Sequence, residues 1–198
     1  MPVSGARQFL ILHGWGGSGP DHWQSWLASR LRAAGEAVRF PTLPNPDEPR
    51  LEEWLAVMRH ELASMSGSRI VVCHSLAVLL WLHHARQPDA AAVDRLLLVA
   101  PPGSAVNNPQ VETFFPAPRD PLALHRTAPE IELVCSAADP FCPERADRYY
   151  GEPLGVQTLL YPSEAGHINV ASGYGPWPWV ESWCQRQHIT VEAADRFP

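Results

Sequence analysis

Lysine is absent from this chain, and all 15 basic side chains among its 198 residues are arginines. Chemistry that needs a free amine is therefore excluded, whether a Schiff base, a pyridoxal linkage or a Walker-A phosphate clamp. A basic cluster is missing too: 21 acidic residues outweigh the arginines and leave a net charge of −6. Neither nucleic acid nor a membrane surface is expected as a partner of so acidic a chain. Cysteine is scarce, and Cys73, Cys135, Cys142 and Cys184 form no CxxC pair, which excludes a zinc ribbon or a thioredoxin-type motif. No set of His, Asp or Glu falls at metal-ligand spacing, so no metal and no cofactor is expected. Long apolar runs are lacking as well. Phe9–Leu12 is too short for a secretory leader, and no stretch approaches a membrane span. The expected setting is cytoplasmic, with reduced thiols.

What remains is ordinary globular material, 45% hydrophobic and 18% charged, expected to form a single domain over residues 1–198. Short apolar runs alternate with amphipathic stretches. Strands are predicted at Gln8–Leu12, Ala37–Phe40, Arg69–Cys73, Asp94–Ala100, Ile131–Ser136 and Val156–Tyr161. Helices are predicted from Asp21 as N-cap (Trp23, Trp26, Leu27 and Leu31 on one face), at Leu51–Met65, at Leu76–Arg86 and at Trp177–His188. This alternation predicts an α/β architecture: a mostly parallel sheet of about six strands with helices on both faces. The long irregular stretch Pro101–Pro121 has the length of a functional loop.

The sharpest local feature is Cys73-His74-Ser75-Leu76-Ala77, set between a strand and a helix. A turn this tight exposes a nucleophile above the carboxyl edge of the sheet, and it needs small residues two before and two after. Cys73 and Ala77 are small, although the commoner pattern has glycine at both places. A serine at a helix start is also an ordinary cap, so order along the chain has to decide. Asp139 follows the strand Ile131–Ser136, and His167 follows the strand ending at Tyr161. Both therefore lie on the edge where Ser75 emerges, in the order nucleophile, acid, histidine. Ser75 would attack a carbonyl, His167 would move the proton, and Asp139 would hold the histidine tautomer. His74 adjoins Ser75 but is expected to turn away from it; Asp120, Asp147 and Asp195 fit the acid's place less well. Backbone N–H groups of Leu76 and Trp15 are the candidate oxyanion donors, the latter between Gly14 and Gly16.

The same glycine loop satisfies the dinucleotide pattern, with Gly14, Gly16 and Gly19 between a strand and a helix. That pattern also wants an acid at the end of the next strand, and Ala37–Phe40 ends at Pro41 instead, with Arg39 the one residue that would suit a phosphate. The hydrolytic reading is favoured.

Once Ser75, Asp139 and His167 are aligned, the chain resembles the retinoblastoma-binding protein 9-like serine hydrolases, which are small α/β-hydrolases. The resemblance runs from about Phe9 to Trp183. Its motifs are LHGWGGSGPDHWQSWL (Leu12–Leu27), CHSLA (Cys73–Ala77), ADPFCPERA (Ala138–Ala146) and GHINVASGYGPWP (Gly166–Pro178). It implies an α/β-hydrolase fold without a separate cap domain, and Ser75, Asp139 and His167 as the catalytic residues. The L-x-C-x-E motif that gives the human member its partner is absent, since Leu133-Val134-Cys135-Ser136-Ala137 lacks the glutamate. That partner is not carried over.

Eight tryptophans are many for this length. Trp23, Trp26, Trp54 and Trp81 sit on predicted helix faces and read as core. Trp15, Trp177 and Trp179 lie in or beside loops near the proposed site, and Trp177 is a candidate substrate contact. Phe114 and Phe115 are candidates for a small lid over an acyl pocket. His60, His83 and His84 are expected at helix surfaces. The expected substrate is a small carboxylic ester, with an aminopeptidase-like amide hydrolase or a non-enzymatic protein-binding module on the same scaffold as alternatives.

Overall fold

The computed structural model describes residues 6–106 and 108–186. Six strands run in the order β2-β1-β3-β4-β5-β6: β1 (Arg7–Leu12), β2 (Ala37–Arg39), β3 (Ser68–His74), β4 (Arg95–Val99), β5 (Glu130–Ser136) and β6 (Gln157–Tyr161). Every neighbouring pair is parallel. Parallel pairing demands crossovers, so the connecting helices must cover the faces of the sheet.

The period of two along each strand divides the core into two layers. Leu10, Leu12, Val71, Cys73, Leu96, Leu98, Leu133 and Cys135 face α2 (Leu51–Ala63), α3 (Leu76–Ala85) and α4 (Pro121–Thr127). Phe9, Ile11, Ile70, Val72, Leu97, Val99 and Val134 face α1 (Trp23–Ala33) and α6 (Pro178–Gln185). Each such side chain, removed from water, contributes about 1.5–3 kcal/mol. Beneath the sheet's central strands α3 is apolar nearly all round and buried on nearly every side, as befits a helix packed between β3 and a further helical layer.

Several details depart from the sequence expectations. α1 begins at Trp23, and its N-cap is His22 rather than Asp21; the His22 ring accepts the Gln24 N–H. The stretch Pro101–Pro121 is less irregular than its prolines suggest, because it folds into a 3-10 turn at Pro109–Phe114 and leads into α4. α4 has a legible start, since Asp120 accepts the Ala123 N–H and Pro121 takes the first helical position, where a missing N–H costs nothing. A single π turn at Asp147–Gly151 and the short α5 (Glu152–Leu154) precede β6. His84 is buried, and its ring donates to the Ala91 carbonyl, whereas His60 is exposed as expected. The predicted helix end at His188, and Asp195, lie outside the described residues. No helix among the described residues is long and apolar enough to cross a membrane.

Candidate active site

β3 delivers Ser75 at the sheet's carboxyl edge with φ 55° and ψ −122°. A side chain rarely adopts this conformation, and it survives only where its surroundings enforce it. The Ser75 N–H is held by the Val99 carbonyl at 2.8 Å, and α3 takes over at once with Val78 N–H on the Ser75 carbonyl. Close approach also explains Gly14: a Cβ there would sit 2.7 Å from the Ser75 Cβ.

His167 stands on the segment after β6, and its Nε2 accepts the Ser75 Oγ–H at 2.8 Å. The opposite ring nitrogen, Nδ1–H, donates to Asp139 at 2.8 and 3.0 Å. Asp139 follows β5 and is buried, and its Oδ1 also accepts the Phe141 N–H at 2.8 Å. The ring's position is set by its own loop. The His167 N–H donates to Ser172 Oγ, and Asn169 Oδ1 accepts from both the N–H and the Oγ–H of Ser172. From the other side, Ser136 Oγ donates to the Gly166 carbonyl at 2.6 Å. So Ser75, His167 and Asp139, three residues on three loops, meet within hydrogen-bond distance.

The glycine loop after β1 is fixed by His13, which donates from Nδ1 to the Gly14 carbonyl and accepts the Leu43 N–H at Nε2. Burial lowers the pKa of His13 and keeps the ring neutral, as this double role requires. Gly16 N–H is taken by the Pro46 carbonyl and Gly17 N–H by that of Gly14. The amides of Trp15 and Leu76 have no acceptor among the described residues.

These groups open on a cavity of about 160 Å³, lined among others by Gly14, Trp15, His22, His74, Ser75, Leu76, Phe115, Phe141 and His167. Two of the sequence candidates lie elsewhere. Trp177 is fully buried in the layer between α1 and α6, edge-on to Trp23 and Tyr174 and stacked on Trp179. A tryptophan ahead of a helix can bury its large apolar area most completely by packing down, and here it does so. Phe114 is also fully buried, against Trp54; the 3-10 turn sends Phe114 inward, while Phe115 lines the cavity. His74 does not turn away as expected. It lines the cavity and donates from Nε2 to the His167 carbonyl at 3.1 Å.

Sequence reasoning also missed Phe141, exposed over the His167 ring at 4.5 Å between centroids, and the lining residues His22, Val106, Val111 and Asn169. For Phe141 the signal was available, because it lies two residues beyond Asp139 on the same loop. Cys73 is no rival nucleophile: it is fully buried and burial pushes its thiol pKa up.

A family model described as serine hydrolase matches residues 9–186. The chain belongs to the serine hydrolase family. A curated relative, the YdeN hydrolase of Bacillus subtilis strain 168, is 37% identical over 81 residues, which span 39% of this chain and 43% of YdeN. The solved structure of the B. subtilis ydeN product superposes with a TM-score of 0.78 at 23% identity, covering 90% of this chain and 96% of that one. A YdeN-like hydrolase from Pectobacterium atrosepticum gives 0.71 at 21% identity, covering 90% of this chain and 88% of that one. The monoacylglycerol lipase of Paleococcus ferrophilus gives 0.59 at 14%, covering 91% and 95%. At these identities the superpositions establish the α/β-hydrolase fold. The family match carries the broad family and the curated relative the likeness to YdeN; the narrower retinoblastoma-binding protein 9-like label rests on the sequence motifs alone.

Proposed function

We propose that this protein is an esterase of the serine hydrolase family that cleaves small carboxylic esters through an acyl-enzyme on Ser75. The observation that carries the reading is the continuous chain from Ser75 Oγ through both nitrogens of His167 to Asp139, with each link at 2.8 Å. A binding module has no use for a strained serine, a histidine and a buried aspartate hydrogen-bonded in that order.

Each group has one task. As Ser75 Oγ attacks the ester carbonyl carbon, its proton passes to His167 Nε2. Asp139 then faces an imidazolium whose Nδ1–H it already accepts, and its charge stabilises that cation. The carbonyl oxygen becomes an oxyanion, and the free N–H groups of Trp15 and Leu76 are the donors for it. Loss of one such donor from an oxyanion hole costs about 3–4 kcal/mol. Collapse of the tetrahedral adduct breaks the bond to the alkoxy oxygen, which leaves as the alcohol with the proton from His167. Water then repeats the sequence against the acyl-enzyme, releasing the acid and restoring Ser75.

Esters are preferred over amides in this reading because an alkoxide leaves with less help than an amine anion. The apolar side chains Val106, Val111 and Phe115 along the cavity suit a short or medium acyl chain. All four cysteines are free and buried, which suits the cytoplasm.

The test is hydrolysis of p-nitrophenyl esters from acetate to octanoate by wild type and Ser75→Ala, with an aminoacyl-amide panel and fluorophosphonate labelling in parallel. Wild type should turn over the esters and label at Ser75, while Ser75→Ala should lose about 10⁶-fold in kcat and fail to label. Equal inertness of both proteins, with no labelling of wild type, would sink the reading.

A further inference from the structure

The cavity is lined unevenly. Pro102, Val106, Val111 and Phe115, from the segment after β4, supply carbon; His22, His74 and Asn169, from three other segments, supply ring nitrogens and an amide. The polar group belongs to the histidine side of the serine, together with Phe141 over the His167 ring. The His74 ring lies 5.2 Å from the His167 ring and 5.0 Å from the His22 ring, and Asn169 follows His167 by two residues. In acyl transfer the leaving oxygen must face the imidazole that protonates it, so this side of the cavity receives the leaving group.

The tautomers of both rings follow from their partners. His22 Nδ1 accepts the Gln24 N–H, so the proton of the neutral ring is on Nε2, and that N–H has no acceptor among the described residues. His74 donates from Nε2 to a carbonyl, so its Nδ1 carries a lone pair. Burial, with the other histidines adding, lowers the His22 pKa to about 4 and holds His74 well below its ordinary value; at neutral pH neither ring is a cation. His22 is also held firmly. The neighbouring Trp23 donates its backbone N–H to the Tyr174 carbonyl and its indole N–H to the Ile168 carbonyl at 2.8 Å. The start of α1 is thereby stitched to the His167 loop.

We propose that His22 is a specificity-determining residue whose Nε2–H binds a neutral hydrogen-bond acceptor carried by the leaving group, so that the preferred substrates are esters of alcohols bearing an ether, hydroxyl or carbonyl oxygen near the ester oxygen. This rests on the esterase reading above. His22 is a cap as well as a lining residue, and the two roles can be separated. Asparagine caps helices well and can still accept the Gln24 N–H, while it removes the ring donor from the cavity.

The experiment compares kcat/KM of wild type, His22→Asn and His22→Ser on two isosteric substrates, 2-methoxyethyl butanoate and butyl butanoate, by titrating the released acid. Fluorophosphonate labelling and melting temperature accompany each variant as controls on folding. Wild type should favour the methoxyethyl ester by about tenfold, the worth of one hydrogen bond, and both variants should bring that ratio towards one. A wild-type ratio near one, or a ratio that survives both substitutions, overturns the assignment of His22 and leaves the esterase reading standing. Absence of any Ser75-dependent hydrolysis or labelling overturns both together.

Discussion

The segments after β6 and after β4 both rise from the carboxyl edge of the sheet and both face Ser75, yet they are built on different plans. Residues 162–177 are tied through their interior. Ser172 holds the His167 N–H, Asn169 holds Ser172 and the Tyr174 N–H, and Ser136 and Trp23 clamp the carbonyls of Gly166 and Ile168. Below them lies a solid aromatic layer of Tyr161, Tyr174, Trp177 and Trp179. The segment after β4 is tied within its own 3-10 turn, where Asn108 accepts the Gln110 N–H, and to neighbouring elements, with Thr113 Oγ1 accepting the Leu51 N–H. Tyr150 and Glu144 hold Pro102, Ser104 and Ala105 at one end, and His83 holds the Phe114 carbonyl at the other. What it turns towards the cavity is apolar: Pro102, Val106, Val111 and Phe115. A proton can move between two atoms only if their separation is held to tenths of an ångström, and dense internal bonding provides that. An acyl chain needs only a surface to lie on. The first segment should therefore decide whether the reaction proceeds, and the second which substrate it prefers.

Perturbing the rigid side should have the largest effect. In Asp139→Asn the carboxylate facing His167 Nδ1–H becomes an amide that can also donate, which favours the wrong imidazole tautomer. On p-nitrophenyl butanoate kcat should fall about 10⁴-fold, with little change in melting temperature because the side chain keeps its size. A loss smaller than tenfold would remove Asp139 from the proposed triad and undo the comparison at its root.

Gly166→Ala should come next. Gly166 has φ 49°, and a Cβ there would lie 2.5 Å from Ser172 Oγ, the atom that accepts the His167 N–H. Either the backbone or the Ser172 side chain must shift, and the imidazole shifts with it. A displacement of about 1 Å costs about 100-fold in kcat, and KM should change far less because the cavity walls stay in place. Steady-state kinetics on the same ester, read as a split between kcat and KM, checks this. A rise in KM with kcat preserved would mean that the loop shapes binding, as its neighbour does, and the distinction would collapse.

The two segments also differ in how far the sequence discloses them. The sheet was legible because each strand is a short apolar run bounded by glycine, proline or polar residues. Ser75, Asp139 and His167 could be singled out as candidates because each lies on the segment that follows such a run, and strand ends are where parallel sheets gather their loops. Directions of side chains within loops were not. Trp177 and Phe141 are both loop aromatics close to a proposed site residue, and only packing separates them: Trp177 is sealed among four aromatic rings, while Phe141 lies exposed on His167. Phe114 and Phe115 are consecutive and diverge because a 3-10 turn puts neighbours on different faces. His22 passed unremarked because Asp21 is the better cap by residue type, whereas the Trp23 N–H at the helix start is taken by the Tyr174 carbonyl, 151 residues further on.

The smallest expected effect tests the apolar segment. Phe115 is partly buried and lines the cavity alongside Val106 and Val111, so in Phe115→Ala the wall recedes without touching Ser75, His167 or Asp139. A long acyl chain loses contact area along its length, and acetate has almost none to lose. If each buried methylene contributes about 0.8 kcal/mol, then loss of contact with two of them lowers kcat/KM for the octanoate ester by about tenfold. Interactions shared by ground and transition states appear in KM, so KM should rise while kcat moves little. The measurement is the acyl-length profile from acetate to octanoate, which should flatten in the variant. A uniform fall in kcat across the series would show that this wall also positions the nucleophile, and the two segments would then share one task.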